Sequence, residues 1–236
     1  MDDRVAQYDW WHVIELSSGI ATPGGWDLRP TAPELPWPDV GGKRCLDIGT
    51  ADGFWAFELE RRGAAEVVAV DRPSFFQSRA RPRFELAAEL RGSRAAYRER
   101  DVYDLRPEED GVFDVVVMGF VLQMLRDPLR GLDAVRRVCR GHLVLLDTIS
   151  LPLSLLPSPL VRLDARRRAA EYFVFNRRGL RKAVELAGWT VEAQTSVLRD
   201  HAGPAASRTW GHRLGILGRS CALRARPSTG GRPASI

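Results

Sequence analysis

The sequence predicts a doubly wound α/β domain, in which a mostly parallel seven-stranded sheet carries helices on both faces. Short apolar runs alternate with stretches of helical periodicity from residue 43 onward, as strands and crossover helices do in parallel sheets. The first apolar run passes directly into a glycine turn and a helix, which is typical of the ligand-binding edge of such sheets. No helical pattern separates the last two apolar runs, so we expect these strands to form an antiparallel hairpin.

The predicted elements follow one another in chain order, with turn residues between them. The seven strands are Arg44–Ile48, Glu66–Val70, Ala96–Arg100, Phe113–Met118, His142–Ile149, Trp189–Leu198 and His212–Leu223. The helices are Gly53–Arg62, Phe75–Leu90, a segment that begins with the N-cap Asp127 and Pro128, and a segment capped by Asn176. Right-handed crossovers between successive parallel strands then give a Rossmann-like sheet.

Composition divides the chain into an arm, a domain and a tail. Residues 1–40 are rich in tryptophan and proline, which predicts an irregular N-terminal arm or lid over the domain, with a short helix near Val5–Ile14. Residues 41–224 form the domain, and within it residues 150–175 are a leucine- and proline-rich insertion on the substrate side. Residues 225–236 are expected to be a disordered tail.

Charge and cysteine content narrow the class of protein. The net charge of +5 permits RNA binding without demanding it. Cys45, Cys139 and Cys221 are far apart in apolar contexts, which argues against a disulfide framework or a metal site and predicts buried thiols. No apolar run is long enough for a transmembrane helix, and the acidic N-terminus is unlike a secretion signal, so we expect a cytoplasmic protein that makes no membrane contact.

The turn after the first strand has the residues that a nucleoside with an amino-acid tail requires. Gly49 and Gly53 permit a tight turn and a close approach of the backbone to a ligand. The backbone from Thr50 to the start of the next helix can bind a carboxylate. Asp47 and Asp52 can face an ammonium group and a nearby positive charge. The sequence therefore predicts S-adenosylmethionine as the cofactor.

Three further strand ends support this prediction. Asp71 ends the second strand, where a carboxylate can accept both ribose hydroxyls. Asp101 and Val102 follow the third strand, in position to contact adenine, and Gly119 follows the fourth, where the chain passes close to the cofactor. Each residue alone is as well explained by a helix cap or an ordinary turn, but their order at successive strand ends favours a ligand site. A nicotinamide site is disfavoured because the turn lacks the middle glycine of that fingerprint.

Four segments are similar to one family of enzymes. They are KRCLDIGTADGFWAFELERRGAAEVVAVD, WWHVIELSSGIATPGGWDLRP, GFVLQMLRDPLRGL and FVFNRRGLRKAVELAGW, which together span most of residues 8–190. They resemble class I S-adenosylmethionine-dependent methyltransferases, and more narrowly the branch that contains a tRNA wobble-uridine carboxymethoxy-transferase. Gln123 and Met124 stand where that branch usually has Tyr-His. No cationic or phenolic groups can be assigned to hold the carboxyl of a carboxylated cofactor, so the resemblance implies transfer of a plain methyl group more than of a carboxymethyl group.

Two residues are candidates for handling a proton of the methyl acceptor. His12 lies in the arm, and its imidazole titrates near neutrality, so we predict it as a general base; packing or orienting the arm explains it equally well. Asp147 ends the fifth strand, where it either orients an acceptor hydroxyl or amine or caps the next turn. His142 is interpreted as structural, and His201 and His212 are weaker candidates.

The arm and the insertion supply a predicted substrate pocket. Trp11, Tyr172, Phe175 and Asn176 are predicted to contact the substrate, and an apolar or aromatic small molecule would suit them. A satellite core under a loop explains the aromatic residues equally well.

Three functional hypotheses are open at this point. The leading one is a methyltransferase that acts on a small molecule in specialised, natural-product metabolism. The second is a tRNA-modifying transferase, which the arginines at 166–168 and 177–178 would suit, although solvated helix faces are a simpler account of them. The third is a non-catalytic cofactor-binding protein, which the intact cofactor motif disfavours.

Overall fold

The central sheet and its helices account for most of the described chain. The computed structural model describes residues 3–17, 19–72, 80–163, 172–199, 201–205 and 219–229. Its strands are β1 (Glu15–Ser17), β2 (Ile20–Ala21), β3 (Arg44–Ile48), β4 (Glu66–Asp71), β5 (Ala96–Glu99), β6 (Phe113–Gly119), β7 (Cys139–Thr148), β8 (Val161–Leu163), β9 (Phe173–Phe175), β10 (Trp189–Gln194), β11 (Leu198–Arg199) and β12 (Arg219–Pro227). Its helices are α1 (Phe54–Arg61), α2 (Ala80–Arg91), α3 (Pro107–Asp110), α4 (Pro128–Val138), α5 (Leu151–Ser154) and α6 (Arg177–Leu186).

The strand order confirms the predicted fold class. The sheet runs β10-β12-β7-β6-β3-β4-β5, and β11 also pairs with β12. Strands β3 to β7 are parallel to one another, whereas β12 is antiparallel to both β7 and β10. The predicted strand Trp189–Leu198 is wrong in one respect: it is interrupted after Gln194, where β10 ends, and β11 begins at Leu198.

Helices cover both faces of the sheet, as continuous apolar strands require. Leu46 of β3 packs on one face in a cluster with Leu132 of α4 and Leu180 of α6. Its neighbour Cys45 points to the other face, in a cluster with Phe57 of α1. The three cysteines are free and buried, as predicted, and burial raises the pKa of Cys45 and of Cys139 to about 12.

The N-terminal arm completes the cluster on the α1 face. The predicted helix near Val5–Ile14 is wrong: the structure has a single 3-10 turn at Val5–Gln7, then extended chain and the small hairpin of β1 and β2. Trp10 is nonetheless buried, at 5% exposed, and its indole nitrogen donates to the Val5 carbonyl at 2.8 Å. The arm is therefore an irregular layer held by its aromatic residues.

The helix caps lie where the sequence predicts them, but the end of the last strand does not. Asp127 accepts a hydrogen bond from the Arg130 amide at 3.0 Å at the start of α4. The last strand was expected to end at Leu223 and a disordered tail to begin at residue 225, but β12 continues to Pro227, where it pairs with Trp189 of β10. Residues 73–79 of the second predicted helix and residues 206–218, with His212, lie outside the described residues.

Candidate cofactor and acceptor site

The loop from residue 47 to residue 53, here called the cofactor loop, turns sharply over the carboxyl ends of β3 and β4. Gly49 and Gly53 have φ angles of +70° and +102°, and Ala51 between them also has a positive φ of 50°. The amides of Gly49 and Thr50 both donate to the Val70 carbonyl, at 2.8 and 3.1 Å. A Cβ at Gly49 would lie 2.4 Å from Val121, so glycine is required there by conformation and by space.

Asp47 is a buried carboxyl without a protein partner. It is 0% exposed, and neither of its oxygens has a hydrogen-bond partner among the described residues. Burial raises its pKa to about 7, and the nearby Thr50 hydroxyl, His12 and the Ala56 amide oppose this with smaller lowering effects. The neighbouring Thr50 hydroxyl is also buried, and it makes no hydrogen bond of normal geometry to any described residue, although it lies near enough to Asp47 to lower that pKa. An ammonium group is the complement that such a carboxyl needs, so this loop fits the amino-acid end of S-adenosylmethionine.

Asp71 lies at the end of β4, as predicted, and is 4% exposed. Its carboxylate accepts hydrogen bonds from the Ala51 amide at 2.9 Å and from the Arg72 amide at 2.8 Å. Burial raises its pKa to about 6 despite these bonds. Each carboxylate oxygen can accept more than one hydrogen bond, so Asp71 retains capacity for ribose hydroxyls.

The remaining predicted cofactor residues lie on the same edge of the sheet. Asp101 accepts a hydrogen bond from the Tyr103 amide at 3.0 Å and so caps a 3-10 turn, with Val102 buried beside it. Gly119 ends β6, where a Cβ would lie 2.3 Å from the indole nitrogen of Trp55. Glycine is therefore needed at 119 for the packing of Trp55, and its contact with a cofactor stays a prediction.

Asp52 differs from Asp47, although both belong to the cofactor loop and both are 0% exposed. One oxygen accepts hydrogen bonds from the amides of Trp11 and His12, at 2.7 and 3.0 Å. The other oxygen bonds to Nδ1 of the His12 ring. Burial raises the pKa of Asp52, but its electrostatic interaction with His12 and these hydrogen bonds outweigh burial, so the net pKa is lowered. Asp52 thus joins the arm to the cofactor loop.

On the other half of the sheet edge, Asp147 and Gln123 face each other in the interior. Asp147 is 0% exposed and accepts from the Gln123 amide at 3.1 Å and from the Thr148 amide at 2.8 Å. Gln123 is 5% exposed, and its side-chain oxygen is buried without a described partner. The sequence analysis noted Gln123 only as a departure from a family pattern, because burial of a side-chain oxygen leaves no mark in the sequence.

Asn176, a predicted substrate contact, has a structural role in the protein, and its contact with a substrate stays a prediction. Its side-chain oxygen accepts from the amides of Gly179 and Leu160, at 2.7 and 2.9 Å. Its side-chain nitrogen donates to the carbonyls of Leu153 and Ser158, both at 2.9 Å. All four hydrogen-bonding positions of the amide are filled, so Asn176 caps α6 and fastens the insertion.

The predicted aromatic contacts divide between the core and the surface. Phe175 is 7% exposed and packs in the main core, and its contact with a substrate stays a prediction. Tyr172 is only partly buried, and its hydroxyl accepts from Nε of Arg126 at 3.3 Å, which lowers the pKa of Tyr172. Trp11 is 44% exposed, next to His12. Trp11 and Tyr172 therefore remain available for a substrate.

Other predicted side chains contact the protein itself. His142 lies 3.3 Å from a carboxylate oxygen of Glu192 on the surface of the sheet, which fits a structural role. Arg177 donates to the Thr195 carbonyl at 2.9 Å, and Arg178 donates to the Pro157 carbonyl. Residues 166–168 lie outside the described residues. No helix of the described chain has both the length and the apolar character needed to cross a bilayer.

Comparison with known proteins identifies the family. Residues 28–194 match a family model described as a methyltransferase domain. Over 161 residues the chain is 27% identical to a ubiquinone biosynthesis O-methyltransferase of Xanthomonas oryzae pv. oryzae, covering 66% of this chain and 64% of that protein. Over 111 residues it is 37% identical to a tRNA U34 carboxymethyltransferase of Dichelobacter nodosus, covering 45% of this chain and 33% of that protein. The chain thus spans less than two thirds of the length of either relative.

A solved structure has the same architecture along nearly the whole chain. The N-terminal domain of EvdMO1, determined in the presence of S-adenosylhomocysteine and D-fucose, superposes with a TM-score of 0.61 at 20% identity. The superposition covers 96% of this chain and 97% of that domain. Since the family model spans more than half of the sequence and the sheet order agrees with it, the chain belongs to the class I S-adenosylmethionine-dependent methyltransferase family.

Proposed function

We propose that the protein is an enzyme that transfers the methyl group of S-adenosylmethionine to a small-molecule acceptor in the cytoplasm. One observation carries the cofactor half of this proposal: the buried, unpartnered carboxyl of Asp47 at the head of the cofactor loop. A buried acid of this kind is costly unless a cation meets it. The amino group of the cofactor supplies that cation.

Residues of this chain would hold the cofactor at three points. Asp47 would bind its ammonium group, Asp71 its ribose hydroxyls, and Asp101 with Val102 its adenine ring. When bound, the cofactor supplies a methyl carbon that is already electrophilic because of the adjacent sulfonium. The protein must therefore orient the acceptor behind that carbon, exclude water and receive a proton.

The acceptor side offers two groups for orientation and one for the proton. The unpartnered oxygen of Gln123 suits an acceptor that donates a hydrogen bond, such as a hydroxyl or an amine. Asp147, bonded to the Gln123 amide, would orient the same group. His12 would take the proton, since its ring is 15% exposed and stands beside the cofactor loop through Asp52.

The relatives support an acceptor hydroxyl without identifying it. The ubiquinone biosynthesis O-methyltransferase is named for methyl transfer to oxygen. Trp11 and Tyr172 offer aromatic surface at the rim, which suits an aromatic acceptor. Natural-product metabolism remains part of this proposal, to be tested by incubating the protein and S-adenosylmethionine with panels of phenols, catechols and sugars, and following S-adenosylhomocysteine release.

Modification of tRNA is the second candidate, because one relative is a tRNA U34 carboxymethyltransferase. Arg177 and Arg178 are engaged with backbone carbonyls of this chain, which leaves them less suited to phosphates. Mass spectrometry of the purified protein would separate the candidates. We expect plain S-adenosylmethionine or S-adenosylhomocysteine as the carried ligand, and a carboxylated cofactor together with salt-sensitive tRNA binding would favour tRNA modification.

A further inference from the structure

Every described hydrogen bond of Asp52 leads to the arm. Its two oxygens bind the amides of Trp11 and His12 and the Nδ1 atom of the His12 ring. Asp52 is 0% exposed, so these bonds are shielded from water. A residue that sequence analysis assigns to the cofactor therefore contacts the candidate base instead.

The peptide of His12 is fixed on its other side as well. The Thr22 hydroxyl donates to the His12 carbonyl at 2.6 Å and accepts from the Ile14 amide at 2.8 Å. A Cβ at Gly24 would lie 2.0 Å from the His12 carbonyl carbon, so the returning chain packs directly against this peptide. With the backbone fixed, the ring is oriented by its bond to Asp52 and by its contact with Phe54, whose ring centroid lies 5.8 Å away.

We infer that Asp52 is a positioning residue for His12: its carboxylate docks the arm on the cofactor loop and holds the ring proton on Nδ1, so that Nε2 is the basic nitrogen. A carboxylate only accepts hydrogen bonds, so the Nδ1 atom that faces it must carry the proton. No described residue bonds to Nε2, and the ring is 15% exposed. Nε2 is thus left for the acceptor.

This inference rests on the proposed function, in which His12 receives the acceptor's proton. As the acceptor oxygen forms its bond to the methyl carbon, the carbon–sulfur bond breaks and its electron pair stays on sulfur. The acceptor's proton moves to Nε2, which gives an imidazolium that the Asp52 carboxylate stabilises. The arm and the cofactor loop are joined by the same carboxylate, so a correctly folded loop is required for a correctly placed base.

Asp52→Asn separates positioning from simple docking. The asparagine oxygen can still accept from the amides of Trp11 and His12, so the arm should remain docked. Its amide nitrogen would then face Nδ1 as a donor, which forces the ring proton onto Nε2 and removes the base. We expect turnover to fall at least ~100-fold, as loss of a general base does, while affinity for S-adenosylhomocysteine stays within about twofold.

Nitrogen NMR of the imidazole-labelled protein reads the tautomer without any reaction. With the His12 signals assigned by their loss in His12→Gln, we expect the proton on Nδ1 in the wild-type protein and on Nε2 in Asp52→Asn. Hydrogen exchange of the Trp11 and His12 amides should stay slow in Asp52→Asn and become fast in Asp52→Ala.

Two results would overturn the inference. One is a wild-type His12 that carries its proton on Nε2, which can be measured even if the variants do not fold. The other is an Asp52→Asn protein that keeps its tautomer but binds S-adenosylhomocysteine tenfold more weakly, because Asp52 would then be a cofactor ligand. If the proton moves to Nε2 in Asp52→Asn but turnover does not fall, the proposed role of His12 as base is contradicted. Asp52 would still be the residue that orients the His12 ring.

Discussion

Asp47 and Asn176 are two fully buried polar side chains that differ in whether the protein satisfies their hydrogen-bonding atoms. At the ends of β3 and β4, Asp47 is fully buried and has no described protein partner. Beyond the end of β7, Asn176 is equally buried but fills all four positions of its amide with backbone groups. A buried polar side chain without a partner indicates a ligand, whereas one with a complete set of partners indicates structure. The contrast marks Asp47, and also Gln123 with its unpartnered side-chain oxygen, as candidates for ligand contact, whereas Asn176 has a structural role.

The largest effect should come from Asn176→Ala. The change removes a helix cap and leaves backbone groups of the insertion without their partners, so we expect the free energy of unfolding to fall by about 3 kcal/mol. Urea denaturation measures this, and S-adenosylhomocysteine affinity of the folded fraction should stay within about twofold. A loss of stability below about 1 kcal/mol would show that Asn176 is not the fastening point described here.

In contrast to Asn176→Ala, Asp47→Asn should weaken cofactor binding and should not destabilise the ligand-free protein. Loss of a charged hydrogen bond to the cofactor ammonium should weaken S-adenosylhomocysteine binding by about 10- to 100-fold. The raised pKa of Asp47, about 7, means that its ionised form is disfavoured in the folded protein without ligand. The free energy of unfolding therefore falls as the pH rises from about 4, the pKa of an aspartate in the unfolded chain, to about 7, the pKa of Asp47 in the folded protein. The melting temperature of the ligand-free variant at pH 8 should accordingly rise by about 2 °C or more.

Thr50→Val is a matched control for Asp47→Asn, because the Thr50 hydroxyl is buried and unpartnered in the same loop but carries no charge. We expect it to change S-adenosylhomocysteine affinity by less than about fivefold, as loss of a neutral hydrogen bond does. Equal weakening by both changes would indicate a disturbed loop and not a lost ion pair.

Asp71→Asn should have a smaller effect on binding. The asparagine can keep one of the backbone hydrogen bonds that the carboxylate accepts, and it loses the charge-assisted bonds to ribose. We expect affinity for S-adenosylhomocysteine to fall about tenfold in calorimetry. An unchanged affinity would place the ribose elsewhere and break the link between β4 and the cofactor.

Tyr172→Phe should have the smallest effect on the protein itself. The bond between Arg126 and the Tyr172 hydroxyl lies at the surface, so the melting temperature should change by no more than about 1 °C. If Tyr172 contacts the acceptor, the KM for the acceptor should rise severalfold while the KM for S-adenosylmethionine holds. If the variant and the wild-type protein have the same KM for the acceptor, Tyr172 does not contact the acceptor.

Features that depend on a few neighbouring residues could be predicted from the sequence, whereas features that depend on tertiary packing could not. The strands, the cofactor loop and the caps by Asp127 and Asn176 follow from local patterns, because periodicity, glycine and capping residues act over a few positions. The different roles of Asp47 and Asp52 could not be predicted from the sequence. Both belong to the cofactor loop, and only the packing of the arm against Asp52 distinguishes them. The burial of Phe175 in the core could not be predicted for a related reason: an aromatic residue near a pocket and one in the core look alike in sequence.

A titration of S-adenosylhomocysteine at pH 6 and pH 8, with the wild-type protein and with Asp47→Asn, tests the central claim most directly. Since the pKa of Asp47 is about 7 and only its ionised form pairs with ammonium, wild-type affinity should rise about tenfold between these pH values. The variant should bind weakly at both. Wild-type affinity that does not change with pH, or a variant that binds as tightly as the wild type, would contradict the placement of the cofactor at Asp47.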